Sequence, residues 1–181
     1  YDLLAALLAR PPKRDLIDRV AKLEGDSSDL GRAVSALTRV ARATSEQAAE
    51  REFFDLFIGV GRGELLPYAS YYMTGFLNEK PLAVLRNDMA RRGIERAPNV
   101  FEPEDNIASL CEMMAGLILG RFGDPASLSE QKDFFGAHVG PWAGHFFADL
   151  EGAKASVFYA PVGALGRAFM DIEREAFRLA A

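Results

Sequence analysis

Apolar residues recur every three or four positions along most of this chain. No stretch alternates apolar with polar residues at the period of two that a half-buried strand needs. The pattern predicts an all-α fold, a single-domain irregular helical bundle of about nine helices. Residues 2–9 and 14–24 read as short helices separated by Pro11-Pro12. Residues 28–43 follow, with Leu30, Val34, Leu37 and Val40/Ala41 at helical spacing. Thr44 and Gln47 have the spacing of a capping box opening the next helix, which carries Phe53, Phe54, Leu56, Phe57 and Ile58 and stops at Gly59.

The rhythm breaks at residues 59–78. Gly59, Gly61, Gly63 and Pro67 interrupt any helix, and Tyr68, Tyr71, Tyr72 and Phe76 make the segment aromatic. A connection of this length, reaching to about residue 80, is long for a compact domain and points to an ordered functional loop. Helical spacing resumes from Pro81 to Arg92, closed by Gly93, and a second loop covers 94–101. The clearest helix runs from Pro103 to Phe122, with Ile107, Leu110, Cys111, Met114, Leu117 and Ile118 on one stripe. Ser127 and Glu130 form another capping box. After Pro141, Trp142, Phe146 and Leu150 fall at steps of four. A last helix, about 154–179, carries Phe158, Val162, Leu165, Phe169, Ile172 and Ala176 as a narrow seam, with Pro161 marking a kink or its true start.

Composition narrows the function. Twenty-six acids against 21 bases give a formal charge of −5. That balance argues against nucleic acid, which calls for clustered Lys and Arg, and is compatible with a cationic peptide. The one cysteine, Cys111, excludes an intrachain disulfide and a thiolate metal cluster. No apolar run is long enough to span a bilayer, and Leu3 to Ala9 is too short for a secretory signal, so an integral membrane protein is not expected. The opening at Tyr1 rather than Met suggests that residues precede it.

Few groups suggest chemistry. Gly59-Val60-Gly61-Arg62-Gly63 resembles an anion loop only superficially. No strand precedes it and no GK[ST] follows, so a flexible turn is the simpler reading. His138 and His145 lie seven apart, but no HExxH accompanies them, and His138 reads as a helix-start residue. No Ser/His/Asp order or CxxC can be assembled, so no catalytic residue is assigned and no enzyme is expected. Two segments stand out for binding. Pro67, Tyr68, Ser70 and Tyr72 lie in a loop whose tyrosines offer apolar area with a hydroxyl, as peptide-binding surfaces do, or simple core filling. Glu102-Pro103-Glu104-Asp105-Asn106 has the chemistry of a helix start, with Pro at the first position and acids in the first turn. Its three carboxylates also suit an arginine fork.

These blocks together resemble the TorD/DmsD/NarJ family of redox-enzyme maturation chaperones, nearest its TorD-like branch. The likeness runs through Phe54-Asp55-Leu56-Phe57-Ile58-Gly59-Val60-Gly61-Arg62-Gly63-Glu64-Leu65-Leu66-Pro67-Tyr68 and Ser70-Tyr71-Tyr72-Met73-Thr74-Gly75. It continues in Pro81 to Arg86, Glu102 to Ala108, His138-Val139-Gly140-Pro141-Trp142 and Phe146 to Leu150. The family pattern E-P-x-D-H is met at Glu102, Pro103 and Asp105, with Asn106 where the family has His. Asn keeps hydrogen-bonding capacity without the titratable ring.

The resemblance implies a cytoplasmic chaperone that binds the twin-arginine signal peptide or body of a molybdoenzyme catalytic subunit until its molybdenum cofactor is inserted. It also implies no cofactor of the chain's own, weak guanine nucleotide binding in some members, and a monomer or a domain-swapped dimer. On this reading Pro67, Tyr68, Ser70 and Tyr72 and Glu102, Pro103, Asp105 and Asn106 form one peptide-binding groove, with Asp105 and Glu102 meeting the arginines. Two other readings are a helical adaptor for a folded partner that ignores signal peptides, and a nucleotide-binding protein using Gly59–Gly63.

Overall fold

The computed structural model describes residues 1–98 and 100–180; the expected loop at 94–101 thus includes one position, Asn99, outside the described residues. Among them are ten α-helices, two π-helical segments and no strand. The helices are α1 (Asp2–Leu8), α2 (Arg14–Val20), α3 (Asp29–Ala43), α4 (Glu46–Phe53), α5 (Ala69–Thr74), α6 (Lys80–Arg91), α7 (Ile107–Leu119), α8 (Leu128–Phe134), α9 (Ala143–Gly152) and α10 (Tyr159–Leu179). The π segments are π1 (Phe54–Ile58) and π2 (Phe135–Val139). Among the described residues no helix is long and apolar enough to cross a membrane.

By its packing the chain divides into two compact units, each assembled from separated stretches. One comprises residues 1–9, 67–143 and 177–181; the other comprises 10–66 and 144–176. In the first, α7 is the central element. It is apolar nearly all round, and Ile107, Ala108, Leu110, Cys111, Met113, Met114, Ala115 and Leu117 are all buried, as such a helix must be. Burial pushes the Cys111 thiol up to about 12, so it is un-ionised and inert at neutral pH. In the second unit, Phe146, Phe147 and Leu150 of α9 are buried, and Phe57 meets Phe146 and Tyr159 at ring separations of 6.5 and 5.5 Å. Gly163 and Gly166 let α10 lie directly on α9, because a Cβ at either would collide with Glu151 or the Phe147 ring.

The two π segments repeat one local design. Each follows a short helix capped by a serine, begins at the second Phe of a Phe-Phe pair and ends at a glycine. The Gly59 amide donates to Phe54 O and the Gly140 amide to Phe135 O, both at 2.7 Å. The wider turn shifts side chains off the four-residue register, a device often found at functional places. Gly59 is obligatory at its position: φ is +63° and a Cβ would strike the Arg62 carbonyl.

Several boundaries differ from the sequence reading. The expected loop at 59–80 contains α5, which Gly75 ends in the left-handed conformation. Thr44 closes α3 rather than opening α4, because its hydroxyl donates to Val40 O at 2.8 Å. Ser45 caps α4 by accepting from the Ala48 amide, so no Thr44–Gln47 box forms. The Ser127–Glu130 box is present in both directions. The α7 helix starts at Ile107, not Pro103. The narrow seam of α10 holds only through its first half. Ile172 and Ala176 are exposed, while Met170 and Phe177 are buried in their place.

Pro161 falls in the first turn of α10, and the helix start is secured from outside. The Glu52 carboxylate accepts the amides of Val157, Phe158 and Tyr159 at 2.7, 2.9 and 2.7 Å, serving amides at and just before the helix start, where a helix leaves donors unpaired. Glu64 likewise accepts from Lys154 and Ala155 at 2.8 and 3.1 Å. Replacing Glu52 with Ala should therefore lower unfolding free energy by about 2 kcal/mol, the upper range for losing a helix cap. Denaturant titration of the two proteins checks this, and an unchanged midpoint would remove the capping role.

Candidate peptide-binding site

The two segments singled out by sequence meet in the first unit. Tyr68 and Asn106 form an isolated antiparallel bridge. The Ala69 amide donates to Asp105 O at 3.0 Å, and the Ile107 amide to Pro67 O at 2.9 Å. This pairing explains why α7 begins late: residues 103–106 form a turn closed by the Asn106 amide donating to Pro103 O at 3.2 Å, and Asn106 pairs with Tyr68 before the helix can start. Asn106 then caps it, its side chain accepting the Ala108 amide at 2.9 Å. Asn supplies that cap without titrating.

Asp105 is the pin between the segments. It is 0% exposed, and its Oδ2 accepts the Ser70 amide at 2.7 Å. This corrects the expectation that Asp105 meets an arginine at the rim, since a carboxylate with no surface and an internal donor is not available to one. Among the described residues its Oδ1 and the buried Ser70 hydroxyl have no hydrogen-bond partner. Two desolvated polar atoms at one spot are costly, about 1–3 kcal/mol each. They mark a place where the fold is not arranged for stability alone.

The other acids divide the work. Glu104 is buried and paired with Arg86 at 2.9 Å and Arg96 at 3.6 Å. Burial alone would raise its carboxyl, but its backbone hydrogen bond and the Arg86 and Arg96 pairs outweigh that and hold it below the usual range. Glu102 remains exposed and accepts a hydrogen bond from the Tyr68 hydroxyl across the two segments. Of the carboxylates in this run, Glu102 is the one placed to meet a cation. Large apolar side chains stand on the same elements: Phe101, directly before Glu102, is 86% exposed, and Phe76, just after α5, is 70% exposed. Tyr72 is half-buried and stacks on Trp142 with ring centroids 5.4 Å apart.

His138 is not a helix-start residue. It lies within π2, buried, its Nε2 3.0 Å from Asp88 Oδ2. Asp88 Oδ1 also accepts from Arg91 and Arg92 at 3.1 and 3.2 Å. His145 is exposed on α9. Among the described residues no three His, Cys, Asp or Glu side chains gather as a metal would require. The Gly59–Gly63 stretch forms a turn in which the Glu64 and Leu65 amides return to Asp55 O and Leu56 O, leaving Val60 99% exposed. Sequence reasoning missed Glu52 and the Asp88–His138 pair. The sequence signal that could have pointed to the second is the Phe-Phe-x₄-Gly repeat, which accompanies an altered helical register at both places.

The family model described as "Nitrate reductase delta subunit" matches residues 23–148. The chain therefore belongs to this family, the TorD/NarJ group. It is similar to the chaperone protein TorD of Vibrio cholerae, with 28% identity over 169 residues covering 89% of this chain and 77% of the relative. The TorD chaperones of Vibrio atlanticus and Aliivibrio fischeri are 28% and 25% identical. They cover 78% and 88% of this chain, and 70% and 79% of their own lengths. These relatives are named chaperones, not enzymes, and they place the chain among the redox-enzyme maturation chaperones.

Two predictions separate scaffold from surface. Asp105→Ala should cost about 2 kcal/mol, because it leaves the Ser70 amide buried without an acceptor, whereas Glu102→Gln should change stability by less than about 0.5 kcal/mol. Thermal unfolding of both variants tests the assignment; equal losses would contradict it. The His138 imidazole is held below its ordinary 6.5 chiefly by burial, with Asp88 opposing. A His with a lowered native value binds its proton more readily when unfolded. Its contribution is thus fully present above pH 6.5 and is lost as pH falls from there toward the native value. Unfolding free energy should decline across that window in the native protein and be flatter in His138→Gln.

Proposed function

We propose that the chain holds the twin-arginine signal peptide of a molybdoenzyme catalytic subunit in the cytoplasm, together with or in place of the apo-enzyme body, until cofactor insertion precedes export. The supporting observation is the exposed pairing of Glu102 and Tyr68, with two largely exposed phenylalanines on the same segments, Phe101 directly before Glu102 and Phe76 just after α5. An arginine of the peptide meets Glu102, and the apolar stretch that follows covers the two phenylalanines. Exposed apolar area of this kind, rimmed by polar groups, is what interaction sites present. The molybdenum cofactor belongs to the client, and the chaperone performs no chemistry on it. Ordering a short peptide costs free energy, so binding is micromolar or weaker, and the folding client displaces the chaperone by competition.

Calorimetric titration with a synthetic peptide bearing Arg-Arg before an apolar stretch tests this. Glu102→Lys should weaken binding about tenfold and Phe101→Ser by a similar factor, with native affinity falling as salt rises. Equal capture of full-length and signal-deleted client would instead favour an adaptor that ignores the signal peptide.

A further inference from the structure

Behind the paired segments lies a chain of contacts that the peptide reading does not use. Asp88 on α6 bonds the His138 ring at 3.0 Å, and the His138 carbonyl accepts from the Trp142 indole N–H at 2.7 Å. The Trp142 ring, 1% exposed, lies 5.4 Å from the ring of Tyr72 at an interplanar angle of 35°. Tyr72 belongs to α5, whose Ser70 is pinned by Asp105. The link depends on π2. The wide turn lets both the ring and the carbonyl of residue 138 face protein groups at once, the ring to α6 and the carbonyl to Trp142.

We infer that Asp88 and His138 are positioning residues for the aromatic floor of the peptide site, setting Trp142 against Tyr72, so that peptide affinity depends on the charge carried at His138. This rests on the peptide-binding reading. The bond has one carboxylate and one neutral imidazole as partners, and a buried ring resists taking a second proton. The charged groups facing the pair are Arg91 and Arg92 on α6, both bonded to Asp88. Arg92 also lies over the Phe134 ring, 5.7 Å from its centroid, and Phe134 packs on His138 at 4.8 Å. Burial, and to a lesser degree those two cations, opposes a positive charge at His138, while the Asp88 carboxylate favours one; the cost of protonation therefore falls on the packing around the ring rather than on its bond to Asp88. Because residue 138 holds Trp142 through its backbone, displacement of the ring moves the indole and with it the seat of Tyr72.

Trp142 is the chain's one tryptophan, so its fluorescence reads the floor directly. The test follows indole emission and affinity for the Arg-Arg apolar peptide at about pH 7.5 and about pH 5.5, on either side of the ordinary imidazole value. The proteins compared are native, His138→Gln and Asp88→Asn. In the native protein, emission should shift on acidification and affinity should fall roughly fivefold or more. His138→Gln keeps a side-chain donor for Asp88 but cannot titrate, so it should bind as the native protein does at the higher pH and lose the pH step. Asp88→Asn should weaken binding at both values. If the peptide binds but emission and affinity are indifferent to pH and to both substitutions, the positioning role is overturned. If no protein binds the peptide, the peptide reading fails, and the emission step with its loss in His138→Gln still decides whether the pair positions Trp142.

Discussion

The buried carboxylate of Asp105 holds the candidate site together. Its hydrogen bond to the Ser70 amide, with the short backbone pairing around it, fixes a loop and a helix start that lie 35 residues apart in the chain. Everything else about the site follows from that join. It delays the start of α7, turns Asn106 into a cap, brings the Tyr68 hydroxyl to Glu102 and sets α5 so that Tyr72 reaches Trp142. A buried carboxylate with a lone acceptor role is expensive, and the cost is accepted where it specifies one arrangement of two otherwise irregular segments.

Carboxylates perform similar scaffold work elsewhere. Glu52 and Glu64 hold the stretch before α10 through five backbone amides, and Glu104 is held by Arg86 and Arg96. The negative balance of the composition therefore overstates the acidity offered to a partner. Several acids are internal fasteners, and the face left for a cation in the 102–105 run is Glu102. Directly before it in the chain, Phe101 is largely exposed, so an apolar side chain and an anionic one stand next to each other at this point.

The use of a π turn twice, in Ser-capped helices ending Phe-Phe-x₄-Gly, shows how a small sequence signature carries tertiary meaning. In the first copy the altered register precedes the glycine turn at 59–63. In the second it lets one histidine touch α6 by its ring and Trp142 by its carbonyl. Neither outcome is visible from helical periodicity, which assumes one angular step throughout.

Periodicity alone determined that the chain is all-helical, placed α3, α6, α7 and α9 to within a few residues, and set Trp142, Phe146 and Leu150 at steps of four. Motif order determined the family. Those features are local or repetitive, so short-range spacing encodes them. Tertiary structure decided which acids are buried, that Pro103 precedes rather than opens a helix, that α5 interrupts the glycine-rich loop, and that His138 faces Asp88. These depend on partners distant in the chain: a carboxylate in sequence carries no mark of whether its eventual neighbour is water, an arginine or a backbone amide.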